Sequence, residues 1–306
     1  MEFMIFRGAP YKHDWVTDLI EDVGGFIVSI DLTSTEVIII FAVPGEDVSK
    51  IEEMVKIVYG ELMPAPLTGI EVVMVSPSYA RHHAPVPHCN LIEGLRESGA
   101  KVNSLVMGRG VGLKISQMSA MERLVIEEHD IAVFMFGCFE HCVREYKLKM
   151  IEKLRIPIVV MAYPELEVNR SNITYVSGLS RMLMSFKRSD EKARLGRVMD
   201  AVLETGEGVK RELGDDPPIL PPIYLKQVIE EQVQDLNTCI APFPVTLKSD
   251  GVRVKLPYAS FAKDIRGIGL VEGKTIGDVA DVTPSHDDQI LVKIHRESAS
   301  GSLVWG

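Results

Sequence analysis

The sequence predicts an α/β protein: a central doubly wound parallel sheet with an N-terminal α+β domain and a helical, β-rich C-terminal region. Three observations carry this. Between Ile70 and Met161, short and almost wholly apolar runs alternate with longer amphipathic segments. That is the mark of strands buried on both faces and joined by helices. Before Pro64 the strand-type and helix-type runs are not ordered as strand–helix repeats. After Pro222, short β-type runs with turn residues between them follow a single helix.

Residues 1–64 read as the small α+β domain. Glu2–Arg7 is a strand. Trp15–Asp22 sets Trp15, Leu19 and Ile20 on one helix face and stops at Gly24-Gly25. Phe26–Leu32 and Glu36–Ala42 are Val/Ile-rich strands, turned by Thr33-Ser34-Thr35. Asp47–Gly60 repeats Ile51, Met54, Val55 and Val58 at helical spacing. Pro64-Ala65-Pro66 reads as a linker.

Residues 65–176 carry the parallel domain. Its strands are Ile70–Val75, Val102–Met107, Ile131–Phe136 and Ile156–Met161. Its helices are Asn90–Ser98, Lys114–Glu128 and Phe139–Leu154. Residues 177–222 form a helical segment and a Pro-rich linker. Leu195, Val198 and Val202 recur at helical spacing within 178–213. Asp215–Pro222 holds four prolines in eight residues and predicts an extended spacer. In residues 223–306, the helix Ile223–Leu236 precedes β-type runs at Pro244–Leu247, Val252–Leu256, Gly267–Val271 and Gln289–Ile294.

Composition bounds the function. The chain has 306 residues, 46% of them hydrophobic, enough for a sizeable core, and a net charge of −10. Nucleic-acid binding is not expected, because phosphate contacts need clustered Lys and Arg. Met1–Ala9 is too short and wrongly flanked for a signal peptide. No apolar run reaches the roughly 20 residues that span a bilayer. The expectation is a cytoplasmic protein, away from membranes. Four cysteines in a chain this long do not make a disulfide framework.

Three of those cysteines lie in two short patches that also carry histidine. Arg81-His82-His83-Ala84-Pro85-Val86-Pro87-His88-Cys89 follows the first strand of the parallel domain. Gly137-Cys138-Phe139-Glu140-His141-Cys142 follows the third. In open α/β sheets, functional loops lie at the carboxyl ends of strands. Cys138 and Cys142, four apart at the start of a helix, would share a face within about 6 Å at Cβ. His141 would point about 100° away. A helix N-terminus favours thiolate, the form that binds zinc or iron–sulfur clusters. The same pair also fits two small residues packed on a helix face. Pro85 and Pro87 stiffen the first loop; its histidines fit either ligands or surface groups.

Gly108-Arg109-Gly110-Val111-Gly112 follows a strand and precedes a helix, as a phosphate cradle would. It lacks the full dinucleotide pattern and the lysine of a P-loop. Gly108, Gly110 and Gly112 read as a tight turn, with Arg109 and Arg81 open to an anion or a partner. Cys239 is isolated and reads as packed. No Ser-His-Asp order or nucleophile elbow is present, so nothing marks a stand-alone enzyme.

The stretch Val75–His83, then Pro87-His88-Cys89, then Glu93–Gly99, resembles the C protein of the methyl-coenzyme M reductase operon. The likeness continues through Gly108–Gly112 to Arg155–Val159, covering about residues 70–162. The N-terminal domain, the longer C-terminal region and the Cys138–Cys142 motif depart from the C protein. With the length, they resemble its longer relative, methanogenesis marker protein 7. That resemblance implies an archaeal accessory protein working with the C protein, other marker proteins, an ATPase component and methyl-coenzyme M reductase itself. It implies a role in activation, in which the nickel of coenzyme F430 is reduced to Ni(I). It also implies complex iron–sulfur clusters, held alone or shared with a partner, that deliver the electrons. Cys89 stands where the C protein carries a cysteine.

Three functions are therefore open. The first is a cluster-binding electron-transfer subunit using Cys89, Cys138 and Cys142, with His88 or His141 or a partner's cysteine completing the ligand set. The second is a cofactor-free scaffold of the same complex. The third is a small-molecule enzyme that seats a phosphate on Gly108–Gly112.

Overall fold

The computed structural model describes residues 1–76, 88–107, 117–179, 188–238, 243–270 and 273–299. They divide into two compact units, Ile70–Val209 and one built from both ends of the chain, Met1–Gly69 with Lys210–Gly306.

In the first part of the two-ended unit, β1 (Glu2–Gly8), β2 (Phe26–Leu32), β3 (Val37–Val43) and β4 (Glu61–Pro64) form an antiparallel sheet of order β2-β3-β1-β4. α1 (His13–Asp22) and α2 (Val48–Ile57) close a core of Phe6, Val16, Ile20, Ile39, Phe41, Ile51 and Val55. Two sequence expectations are corrected. Trp15 lies on the solvent side at 53% exposure, because α1 buries Val16 and Ile20. Pro64 is no linker residue but ends β4, paired with Met4. An edge strand tolerates a residue without an amide proton.

In Ile70–Val209, β5 (Glu71–Ser76), α3 (His88–Glu97), β6 (Lys101–Val106), α4 (Ala120–Glu127) and β7 (Ile131–Met135) follow in turn. Next come α5 (Glu140–Cys142), a π-helical turn (Val143–Lys147), α6 (Leu148–Met150), β8 (Ile158–Met161), β9 (Ile173–Val176) and α7 (Arg188–Asp215), whose residues from Lys210 on are counted with the two-ended unit. The sheet order is β6-β5-β7-β8-β9, and every neighbouring pair is parallel. β5, β7 and β8 are buried along their whole length. Val73, Val75, Ala132, Phe134, Ile158 and Val160 meet Ile126 of α4 and Val143, Met150, Ile151 and Leu154 on one face. The parallel sheet expected from the apolar runs is present, with a fifth strand that the sequence reading lacked. α4 starts at Ala120 rather than Lys114 within the described residues. The Glu122 amide donates to Ser119 Oγ at 3.1 Å and the Ser119 amide donates to Glu122 Oε2 at 2.8 Å, a capping box that fixes its first turn.

In the last part of the two-ended unit, α8 (Pro222–Gln232) and α9 (Tyr258–Gly267) pack on an antiparallel sheet. Its strands are β10 (Val245–Lys248), β11 (Gly251–Val254), β12 (Ala280–Pro284) and β13 (Ile290–Ile294), in the order β10-β11-β13-β12. Gly251 has no room for a side chain, since a Cβ there would sit 2.0 Å from the Val292 carbonyl oxygen. The strand expected over Gly267–Val271 is not found in the described part. Gly267 ends α9, whose Ala262 and Ile265 are buried, and Gly269 makes only an isolated bridge to Thr275. The proline-rich stretch is not a detached spacer. The Ile219 amide donates to the His295 carbonyl at 3.0 Å, and the Asp216 carboxylate accepts from the Ser298 amide at 3.0 Å and its hydroxyl at 2.6 Å. Those bonds hold the Asp216 carboxyl below the usual carboxylate range. No helix of the described residues is long and apolar enough to cross a membrane.

Candidate functional site

Because the strands are parallel, their carboxyl ends share one edge of the sheet. β5 connects to β6 on one side, and the chain then crosses back to β7 on the other. The reversal between β5 and β7 opens the crevice where doubly wound sheets hold ligands. Cys89 is the second residue of α3, the helix after β5, and Cys138 lies just beyond β7. The two cysteine patches thus follow adjacent strands. The glycine-rich stretch follows β6, the outermost strand.

Pairing at the end of β7 reaches Gly137. The Phe136 amide donates to the Met161 carbonyl at 2.8 Å, and the Tyr163 amide donates to the Gly137 carbonyl at 3.3 Å. The chain then turns outward. Cys138 and Phe139 are exposed, and Phe139 caps α5 with extended backbone, φ −84 and ψ 107. Cys138 therefore precedes the helix instead of sharing a face of it with Cys142. Strand pairing to Gly137 delays the helix start to Glu140. Cys142, the third residue of α5, is half-buried. Arg144 Nη2 donates to Glu140 Oε1 at 2.5 Å across one exposed turn. His141 is exposed, and its ring stands edge-on to Tyr146 with centroids 5.8 Å apart.

Lys147 closes the π-helical turn. Its side chain is fully buried, its Nζ has no hydrogen-bond partner, and it stands 5.3 Å from the centroid of the Phe136 ring. Burial pulls its pKa from 10.5 to about 8. Cys142 and, more weakly, Cys138 act in the opposite sense, so both sulfurs lie within electrostatic reach of this ammonium. A π turn adds one residue to the helical ladder and is a common device at functional sites. Nearby, Tyr175 donates its hydroxyl to the Pro164 carbonyl at 2.8 Å, and burial raises its pKa, with Glu140 adding to the rise.

Sequence reasoning passed over Lys147, although a signal was present. It falls on the apolar stripe Val143, Met150, Ile151 at helical spacing, where a cation has no ordinary place. Cys89 is exposed, and Cys89, Cys138 and Cys142 form no disulfide. The backbone of His88 begins α3. Its side chain, and Arg81, His82, His83, Gly108, Arg109, Gly110, Gly112 and Cys239, lie outside what is described. Among the described residues, no three of His, Cys, Asp and Glu lie close enough to enclose a metal ion. What the described edge offers is two soft sulfur donors beside a buried positive charge, donor chemistry that fits thiophilic, anionic iron–sulfur groups.

A family model described as methyl-coenzyme M reductase operon protein C matches residues 1–268. The match takes in the N-terminal part and most of the C-terminal part along with the parallel domain, in keeping with the resemblance to a longer relative of the C protein. An uncharacterized protein of Methanocaldococcus jannaschii is 36% identical over 300 residues, covering 97% of this chain and 94% of its own. Among solved structures, formyltetrahydrofolate deformylase from Burkholderia mallei shares 9% identity at a TM-score of 0.20, over 52% of this chain and 59% of that one. Glutamyl-tRNA reductase from Methanopyrus kandleri shares 10% at a TM-score of 0.18, over 78% and 86%. Neither superposes closely enough to inform fold or function.

Proposed function

The chain belongs to the methyl-coenzyme M reductase operon protein C family, and from that premise we propose that it is an accessory subunit of the ATP-dependent complex that activates methyl-coenzyme M reductase. In this reading it helps bind iron–sulfur clusters that relay low-potential electrons to the nickel of coenzyme F430. Its partners are the C protein, other methanogenesis marker proteins, an ATPase component and the reductase. The supporting observation is that Cys89 and Cys138–Cys142 belong to connections leaving adjacent strands at the reversal point of a parallel sheet.

Cys138, Cys142 and Cys89 would supply thiolates, with His88 and His141 as further donors and a partner chain completing the set. When bound, such a group supplies one-electron transfer at a potential set by its ligands, hydrogen bonds and exposure. The protein's own contribution is charge and shape. Lys147 places a buried cation within electrostatic reach of Cys138 and Cys142. The exposed Cys138 and Phe139 present the edge to a docking subunit.

The test is iron and acid-labile sulfide on protein purified without oxygen, alone and with its co-purifying partners. Iron and sulfide that disappear in Cys138→Ala or Cys142→Ala support the relay. Their absence from both preparations would leave a cofactor-free scaffold of the same complex.

A further inference from the structure

A second group of exposed residues lies within Met1–Gly69. Tyr59 stands at the end of α2 with φ 57, the left-handed conformation. The helix ends there in a Schellman turn: the Gly60 amide donates to the Val55 carbonyl at 2.9 Å and the Tyr59 amide to the Lys56 carbonyl at 3.2 Å. Glycine is the residue this position favours, because a Cβ crowds the backbone. A tyrosine here strains the turn and gains nothing from the core, since it is 89% exposed. Strain retained at an exposed position points to use of the side chain.

The ring has companions. Lys12 Nζ lies 5.8 Å from the Tyr59 ring centroid, 5.8 Å from that of Tyr11 and 5.7 Å from that of Trp15. Tyr11 is 76% exposed and Trp15 53%. Three exposed aromatics therefore surround one ammonium. Lys12 has no carboxylate partner among the described residues, and the neighbouring Asp14 is engaged by His13 Nε2 at 3.2 Å. Exposed Tyr and Trp are the residues most often found at binding hot spots, and here they supply rigid apolar area around one charge. An ammonium with no carboxylate partner, set among three exposed rings, is complemented by an acidic group, a local attraction that works against the net charge of −10 on the chain.

We propose that Tyr11, Lys12, Trp15 and Tyr59 form a docking site for an acidic segment of another protein. A carboxylate would pair with Lys12, and flanking apolar side chains would lie on the three rings. The proposal uses none of the cysteines and no cluster.

The experiment selects a displayed random-peptide library on the immobilised full-length chain and measures the winners, resynthesised, by fluorescence anisotropy in solution. Enrichment of Asp or Glu flanked by apolar residues is expected. Binding should fall about tenfold or more with Tyr59→Gly or Trp15→Ala and vanish with Lys12→Glu. Tyr59→Gly places the favoured residue in the left-handed turn, so its thermal midpoint should not fall, and a loss of binding there cannot be charged to misfolding. Absence of enrichment, enrichment of basic sequences, or equal binding by Tyr59→Gly and Lys12→Glu would overturn the proposal. So would concentration-dependent self-association abolished by Tyr59→Gly, which would put a second copy of the chain on this face.

Discussion

Lys147 is a cation in a place that disfavours one. A buried ammonium without a hydrogen bond loses its hydration and regains little from a ring face. Its pKa is depressed, so the unfolded chain binds more protons than the folded one between about 8 and 10.5. Folding stability should therefore rise with pH across that window and be flat in this respect below it. A fall from 10.5 to about 8 corresponds to about 3 kcal/mol of lost stability at neutral pH. Lys147→Met should recover much of that in the cluster-free protein and abolish the alkaline rise; chemical denaturation at several pH values checks both. A variant no more stable than the parent would mean that the ammonium is compensated. The sequence made the cysteines legible because thiols clustered at strand ends are rare. It hid Lys147 because lysine is read as surface even where, as here, it falls on an apolar helical stripe.

The elements show where local signals suffice. The apolar runs of β5, β7 and β8 are legible because strands buried on both faces leave no polar alternation to confuse them. β9 is as short as β8 but shows Thr174 to solvent, so its four residues read as loop. The start of α4 depends on side-chain hydrogen bonds that periodicity does not see. Ser119→Ala removes the acceptor of the Glu122 amide and should cost about 1 kcal/mol. Differential scanning calorimetry should show a midpoint lowered by a few degrees, with cysteine reactivity unchanged. The Cys138–Cys142 spacing was misread for a similar reason: strand pairing beyond Phe136 takes precedence over the helix pattern.

At the scale of the molecule, the sequence divided the chain in linear order, whereas the two ends of the chain belong to one compact unit. Composition cannot show this. It arises from bonds such as that of the Ser249 amide to the Gly69 carbonyl at 2.8 Å and of Lys210 Nζ to the Pro66 carbonyl at 2.7 Å. Residues 70–209, expressed alone, carry all five strands of their own sheet and the core on one of its faces. They should unfold in one cooperative thermal transition with native-like circular dichroism; a fragment without a transition would show that the sheet depends on the other unit. The strand order has a further consequence. Two connections far apart in the chain emerge side by side, so any group gripped by both would clip together a long stretch of polypeptide. Such a clip restricts the unfolded ensemble, and the closure entropy it removes grows with the length of chain enclosed. Loading the edge would then also staple the sheet, and a loaded protein would resist heat and protease better than an empty one.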